Sequence, residues 1–190
     1  MFVITADQHD SRASADLVPG ALEQISQVAG TSLLLAPART AGDEVQALIG
    51  DAGPALDVAL ALTRHGEWSV GIGIGEVEGP LPDDVRAARG SAFIAARDAI
   101  EQAKKSPTRI AVSDADAEAL VRLLVELRAR RTQEGWEAYD LLAQGMTQRD
   151  AAAELDISEG AVSRRVSAAG IRAEEAALPA LAKVLDAAQG

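Results

Sequence analysis

The stretch Thr147–Val166, TQRDAAAELDISEGAVSRRV, decides how the C-terminal part of this chain is read. It predicts two short helices joined by a tight turn. Thr147 offers an N-cap hydroxyl ahead of a first helix over 148–155, and Ser158 does the same ahead of a second helix that runs to about Ala169. Asp156 and Ile157 fall between them as the turn. Ala152 is small enough to let two helices approach closely, and Ala151, Leu155, Ile157, Val162 and Val166 are spaced to meet in one small core. That spacing leaves Ser158, Glu159, Gly160, Ser163 and Arg164 on the free face of the second helix.

The alanine, the apolar turn residue, the capping serine and the AVSRR run of this stretch resemble the helix-turn-helix of sigma-factor region 4 and of MarR-like regulators. Asp156 departs from the pattern, which most often has glycine in the left-handed conformation there. Aspartate tolerates that conformation better than most residues. The resemblance implies that the free face of the second helix enters the major groove of double-stranded DNA. Glu159, Ser163 and Arg164, with Ser158 and Gly160 beside them, then face the bases. Thr147, Gln148, Arg149 and Arg165 face phosphates. It also implies a homodimer, because two half-sites set about 34 Å apart or a multiple of it give such a motif its affinity. The plain alternative is a helical hairpin inside a bundle.

Composition limits what else the chain can be. Its 190 residues are enough for one sizeable domain or two small ones. Hydrophobic residues make up 48% and charged residues 25%, as in an ordinary globular protein, but only 3% are aromatic, so the core must be aliphatic and alanine-rich. There are no cysteines, which removes disulfides and thiolate metal sites and fits a reducing cytoplasm. No apolar run is long enough to span a membrane and no basic, cleavable leader is evident, so a cytoplasmic protein with no membrane partner is expected. The net charge of −11 argues against nonspecific coating of nucleic acid. Arg128, Arg130, Arg131, Arg149, Arg164, Arg165 and Arg172 supply local positive charge around the motif. Acidic neighbours offset them, so the expected affinity is modest, salt-sensitive and dependent on two copies.

Ahead of the motif, strands and helices alternate. Strands are expected over 2–6, 32–36, 44–49, 68–74 and 109–112, and helices over 15–29, 51–64 and 91–104. The second and third strands form a hairpin around PARTAGDE, with glycine at its tip. This pattern predicts a mixed sheet covered by helices, an α/β sandwich. From Ser113 the chain reads as all helix. Ser113 is the expected cap of a linker helix whose apolar side carries Ala119, Leu120, Leu123, Leu124 and Leu127. A helix over 133–144 follows, with Trp136, Tyr139, Leu141 and Leu142 as candidate core, and Gly145 ends it. The last helix, over 172–188, contains Pro179, which is expected to kink or divide it.

Four segments of the first half, in order, resemble a shortened class III nucleotide cyclase domain. They are Ile4–Asp7, Arg39–Asp43, Val70–Val77 and Gly90–Arg97. The Gly42-Asp43-Glu44 hairpin is similar to that of diguanylate cyclases, and the loop after Asp7 is similar to that of the small SatD family. The fold class that follows is a cyclase-like α/β sandwich with a central hairpin, then an all-α helix-turn-helix domain. Domain bounds are 1–118 for the ligand-binding or dimerisation part, 113–131 for the linker helix and 132–190 for the DNA-binding part.

By that resemblance Asp7 and Asp43 hold metal, Mg²⁺, against a nucleotide. Ser11, Arg12, Arg39 and Arg97 complete a nucleotide-binding set, with Arg97 neutralising charge on the phosphate. No cofactor is obligatory. Phe93 stands where the family has a catalytic asparagine, and a phenyl ring donates no hydrogen bond, so a domain without turnover is expected. His9 sits beside Asp7 as a lesser candidate. The leading expectation is a transcription regulator with a degenerate cyclase-like sensor, which takes a nucleotide effector or supplies the dimer surface. An active cyclase using two metals and a protein-interaction module are the alternatives.

Overall fold

The computed structural model describes residues 1–190. Five strands form one mixed sheet, and eight α-helices complete the chain. The strands are β1 (Phe2–Gln8), β2 (Leu33–Arg39), β3 (Glu44–Ile49), β4 (Trp68–Ile74) and β5 (Ile110–Val112). The helices of this part are α1 (Val18–Ala29), α2 (Ala52–Leu62) and α3 (Ser91–Ala103). The sheet order is β2-β3-β1-β4-β5. β1 lies at its centre, antiparallel to β3 and to β4, and only β4 and β5 run parallel. Phe2, Val3, Ile4 and Ala6 are all buried, which explains why β1 is a continuous apolar run: both faces are covered.

α1 and α2 pack against each other and against the sheet, whereas α3 lies on β4 and β1. The glycines of WSVGIGI set that second contact. A Cβ on Gly71 would come within 2.5 Å of the Ile100 backbone nitrogen, and one on Gly73 would run into the Ala92 carbonyl and the Ala96 nitrogen. α3 therefore rests directly on the β4 backbone, with Ala92, Ala96 and Ala99 as its small inner residues. Phe93 is 8% exposed and packs with Val3, Leu48 and Val85. Pro37 sits in β2, at the sheet edge, where a missing N–H costs no ladder bond.

The opposite edge is closed by side chains. α4 (Ala115–Ala129) places Glu118 and Arg122 over β5, so that the Val112 N–H donates to the Glu118 carboxylate at 3.1 Å and Arg122 donates to the Ile110 carbonyl at 3.1 Å. The two side chains also pair with each other at 3.1 Å. These are the outward-facing groups of a three-residue edge strand, and occupying them stops further strand addition. Ser113 is not the cap of α4. Asp114 accepts from the Ala117 N–H at 2.9 Å, and the Ser113 hydroxyl instead accepts from the Ile74 N–H at the end of β4.

The remaining helices are α5 (Gln133–Ala143), α6 (Gln148–Glu154), α7 (Glu159–Ala168) and α8 (Ile171–Ala187). α8 is one continuous helix with Pro179 inside it, not two. The chain divides into two compact units, Met1–Val125 with Ala180–Gly190, and Glu126–Pro179. The first unit thus begins and ends with the chain termini: the Met1 ammonium donates to the Gln189 side chain. This differs from a C-terminal domain running from 132 to 190, because Leu181 and Leu185 are buried in the first unit.

Candidate functional site

Two regions gather the residues singled out in the sequence. The first is the α6–turn–α7 segment of the second unit. Thr147 and Asp150 form a reciprocal cap at the start of α6: the Asp150 N–H donates to the Thr147 hydroxyl at 3.2 Å, and the Thr147 N–H donates to the Asp150 carboxylate at 3.1 Å. The Thr147 hydroxyl also donates to the Asp150 carboxylate at 2.7 Å, and this bond first, then the one from the Thr147 N–H, holds the Asp150 carboxyl below its ordinary 3.8. Ser158 caps α7 by accepting from the Ala161 N–H at 3.2 Å. Asp156 has φ 52°, the left-handed conformation the turn requires.

The core of this unit is built on Ala138, Ala151, Ala152, Val162, Val166, Ala169 and Ile171, with Ile157, Leu141 and Leu142 packed around it. Small side chains from α5, α6 and α7 let the three helices close on one another. Leu155, expected in this core, is only partly buried. On the other side of α7, Ser158, Glu159, Gly160, Ser163 and Arg164 are all exposed, and so are Thr147 and Arg149. Gln148 is half-buried.

Three of the arginines counted toward the local field are committed elsewhere. Arg165 donates to Glu137 at 2.9 Å. Arg128 and Arg131 are buried on either side of the Glu174 carboxylate, which is 1% exposed. Their guanidinium groups also stack on the T-shaped pair of Trp136 and Tyr139, 4.4 to 5.3 Å from the ring centroids. The positive charge that remains exposed near α7 is therefore narrower than the sequence count implies: Arg130, Arg149 and Arg164, with Arg172 exposed but paired with Glu175 at 2.6 Å. Arg130, Arg164 and Arg165, with Thr132, line a small cleft of about 270 Å³.

The second region is a recess of about 430 Å³ at the end of β1, lined by Asp7, His9, Asp10, Ser11, Arg12, Asp43, Lys104 and Arg109, among others. The structure thus brings Asp7, Asp43, Ser11 and Arg12 together. It adds two cations the sequence reading did not name. Lys104 reaches Asp7 at 3.0 Å, and Arg109 donates to Ser69 at 3.3 Å and meets His9 Nε2 at 2.8 Å. Although partial burial pulls the Lys104 ammonium down, its bonds to Asp7 and Glu101 outweigh this and raise its pKa above 10.5. Ser11 donates to the Asp43 carboxylate. Asp10 and Arg109 both adopt φ 52°. Non-glycine residues in that region carry a conformational cost and cluster at ligand sites.

Topology explains the added cations. The β4–α3–β5 crossover returns the chain to the starting end of β4, and β4 is antiparallel to β1, with Trp68 opposite Gln8. Residues just after α3 and just before β5, Lys104 and Arg109, must then lie beside the end of β1.

The other resemblance-derived residues are not in this recess. Arg39 pairs with Asp16 at 2.5 Å and lines an adjoining groove with Ser11, Arg12 and Asp43. Arg97 is exposed and lines a separate hollow with Thr5, Thr40, Glu44, Gln46 and Arg86. Phe93 faces the core. The donor set does not fit a two-metal centre: an ammonium holds Asp7, a hydroxyl holds Asp43, and nowhere do three or more His, Asp or Glu side chains gather as metal ligands. No helix is long and apolar enough to cross a membrane. Comparisons with family models, with curated proteins and with solved structures give no match for this chain.

Proposed function

We propose that this protein is a sequence-specific DNA-binding regulator, that α5, α6 and α7 are its helix-turn-helix, and that it acts as a homodimer. The observation that carries this reading is the division of α7. Val162 and Val166 are buried against α5 and α6, while Ser158, Glu159, Gly160, Ser163 and Arg164 stand exposed in one row. Gly160 keeps the middle of the row low, so that backbone can approach a base edge. Arg164 is the side chain with the reach and donor geometry to read guanine, and Ser163 and Glu159 flank it. Thr147, Gln148 and Arg149 lie at the start of α6, where phosphate contacts set register. Arg165 is assigned a lesser part, because Glu137 holds it.

The test is a gel shift on the upstream DNA of the protein's own gene. A retarded band that Arg164→Ala abolishes supports the assignment. Equal retardation by the variant contradicts it.

The α/β unit is, in the same reading, an effector domain whose recess takes a phosphate-bearing small molecule. Arg12 and Arg109 favour this, because guanidinium groups at one opening suit phosphate oxygens, while Lys104 and the Ser11 hydroxyl are held by Asp7 and Asp43 of the same recess. Titration calorimetry with nucleotides tests it, with Arg109→Ala expected to remove the heat of binding.

A further inference from the structure

The sheet face under α3 changes character at one step on three elements. On β1 the step is from Val3 to Thr5, and on β3 it is from Leu48 to Gln46. On α3 it is from Phe93 to Arg97, one turn further along the same side. Val3, Leu48 and Phe93 pack together in the core. Thr5, Gln46 and Arg97 instead line a hollow of about 220 Å³, with Thr40, Glu44 and Arg86. Thr5 lies opposite Gln46 in the β1–β3 ladder and is 2% exposed. Aliphatic side chains at these positions would extend the core, whereas polar ones are costly to bury. A local rule broken by two strands and a helix together is the mark of a functional place.

The groups facing the hollow complement a zwitterion. Arg97 makes no ion pair and no hydrogen bond of its own. Glu44 takes the Thr40 hydroxyl on one carboxylate oxygen and keeps the other. This cation and this anion line one opening without pairing with each other. Gln46 donates to the Thr5 hydroxyl at 3.2 Å, which leaves the Gln46 carbonyl as an acceptor and the Thr5 proton as a donor. Arg86 is neutralised by Asp84, whose carboxylate takes its Nε and Nη2, so Arg97 is the cation left for a ligand.

Size and lining narrow the class. Pockets for drug-sized ligands run to roughly 300–1,000 Å³, and this hollow takes something smaller. All six lining residues are polar or charged, so nothing there rewards an aliphatic or aromatic substituent.

We infer that this hollow binds a small α-amino acid with a polar side chain or none. The ligand carboxylate meets the Arg97 guanidinium and the Thr5 hydroxyl, and the ligand ammonium meets Glu44 and the Gln46 carbonyl. The hollow shares no lining residue with the recess at the end of β1, so this site is separate from the function proposed above and is tested separately.

The test is titration calorimetry of the full chain with glycine, L-serine, L-threonine, L-asparagine and L-glutamine. At least one should bind at a single site with a dissociation constant of about 1 mM or below. Acetate and ethylamine each carry one of the two charges, and each should bind more weakly than that amino acid by about tenfold or more. L-Leucine should also bind more weakly. Arg97→Ala and Glu44→Gln should each weaken binding by about tenfold or more. Arg97 is exposed, and glutamine at position 44 can still accept from Thr40, so folding stays intact, checked by an unchanged circular dichroism melt. The proposal is overturned if none of the five amino acids binds that tightly, or if acetate or L-leucine binds as tightly as the best of them. Unaltered affinity in Arg97→Ala or in Glu44→Gln overturns it as well.

Discussion

Arg131 donates to the Glu174 carboxylate at 2.6 Å with both side chains buried, and Arg128 occupies the other carboxylate oxygen. One carboxylate thus pairs with two guanidinium groups inside the helical unit. Removing its charge weakens both pairs at once, while the rings of Trp136 and Tyr139 stay stacked on the two guanidinium groups. Glu174→Gln should destabilise this unit by about 3–5 kcal/mol in urea unfolding. A change below about 1 kcal/mol would show that the rings or water carry the balance.

Gly73 is the point of closest approach between sheet and helix. A methyl group there meets backbone atoms of α3, which cannot rotate away. Gly73→Ala should cost about 1–3 kcal/mol or more. Gly20 of α1 has open space around its Cα, and Gly20→Ala should instead add about 0.5–1 kcal/mol. Thermal melts of the two variants should move in opposite directions.

Asp156 holds φ 52° in the turn before α7. Glycine removes the side-chain penalty of that conformation, so Asp156→Gly should keep or slightly raise stability. A β-branched valine should lose about 1–2 kcal/mol. Equal melts for the two would place the strain elsewhere.

Acid should loosen the α6 cap through Asp150. Its folded-state pKa lies below the ordinary 3.8, so its contribution is complete above that value and is lost as pH falls through the lower, folded-state one. Asp150→Asn should flatten the loss of stability below about pH 4 while leaving neutral-pH stability less affected than Thr147→Ala does. Identical acid profiles for parent and variant would refute this.

How much of this was legible in the chain follows the range of each interaction. β3 and β4 fall on the residues expected, because their boundaries are written locally in glycines and alternation. The caps at Thr147 and Ser158 and the left-handed Asp156 are local as well. The recess was half legible: Asp7 and Asp43 stand out, but Lys104 and Arg109 arrive only through the crossover behind α3. Arg128 and Arg131 looked like surface charge because their partner, Glu174, lies more than forty residues away. On α4 the leucines read as one apolar side, but Leu120, Leu123 and Leu127 are exposed.

The most direct test of the central claim is selection from randomised DNA duplexes by the full chain, followed by affinity measurement on the enriched sequence. A defined enriched site is expected, with a loss of about 1–3 kcal/mol of discrimination in Arg164→Ala and folding unchanged. No enrichment above background, or an Arg164→Ala variant as selective as the parent, would contradict it.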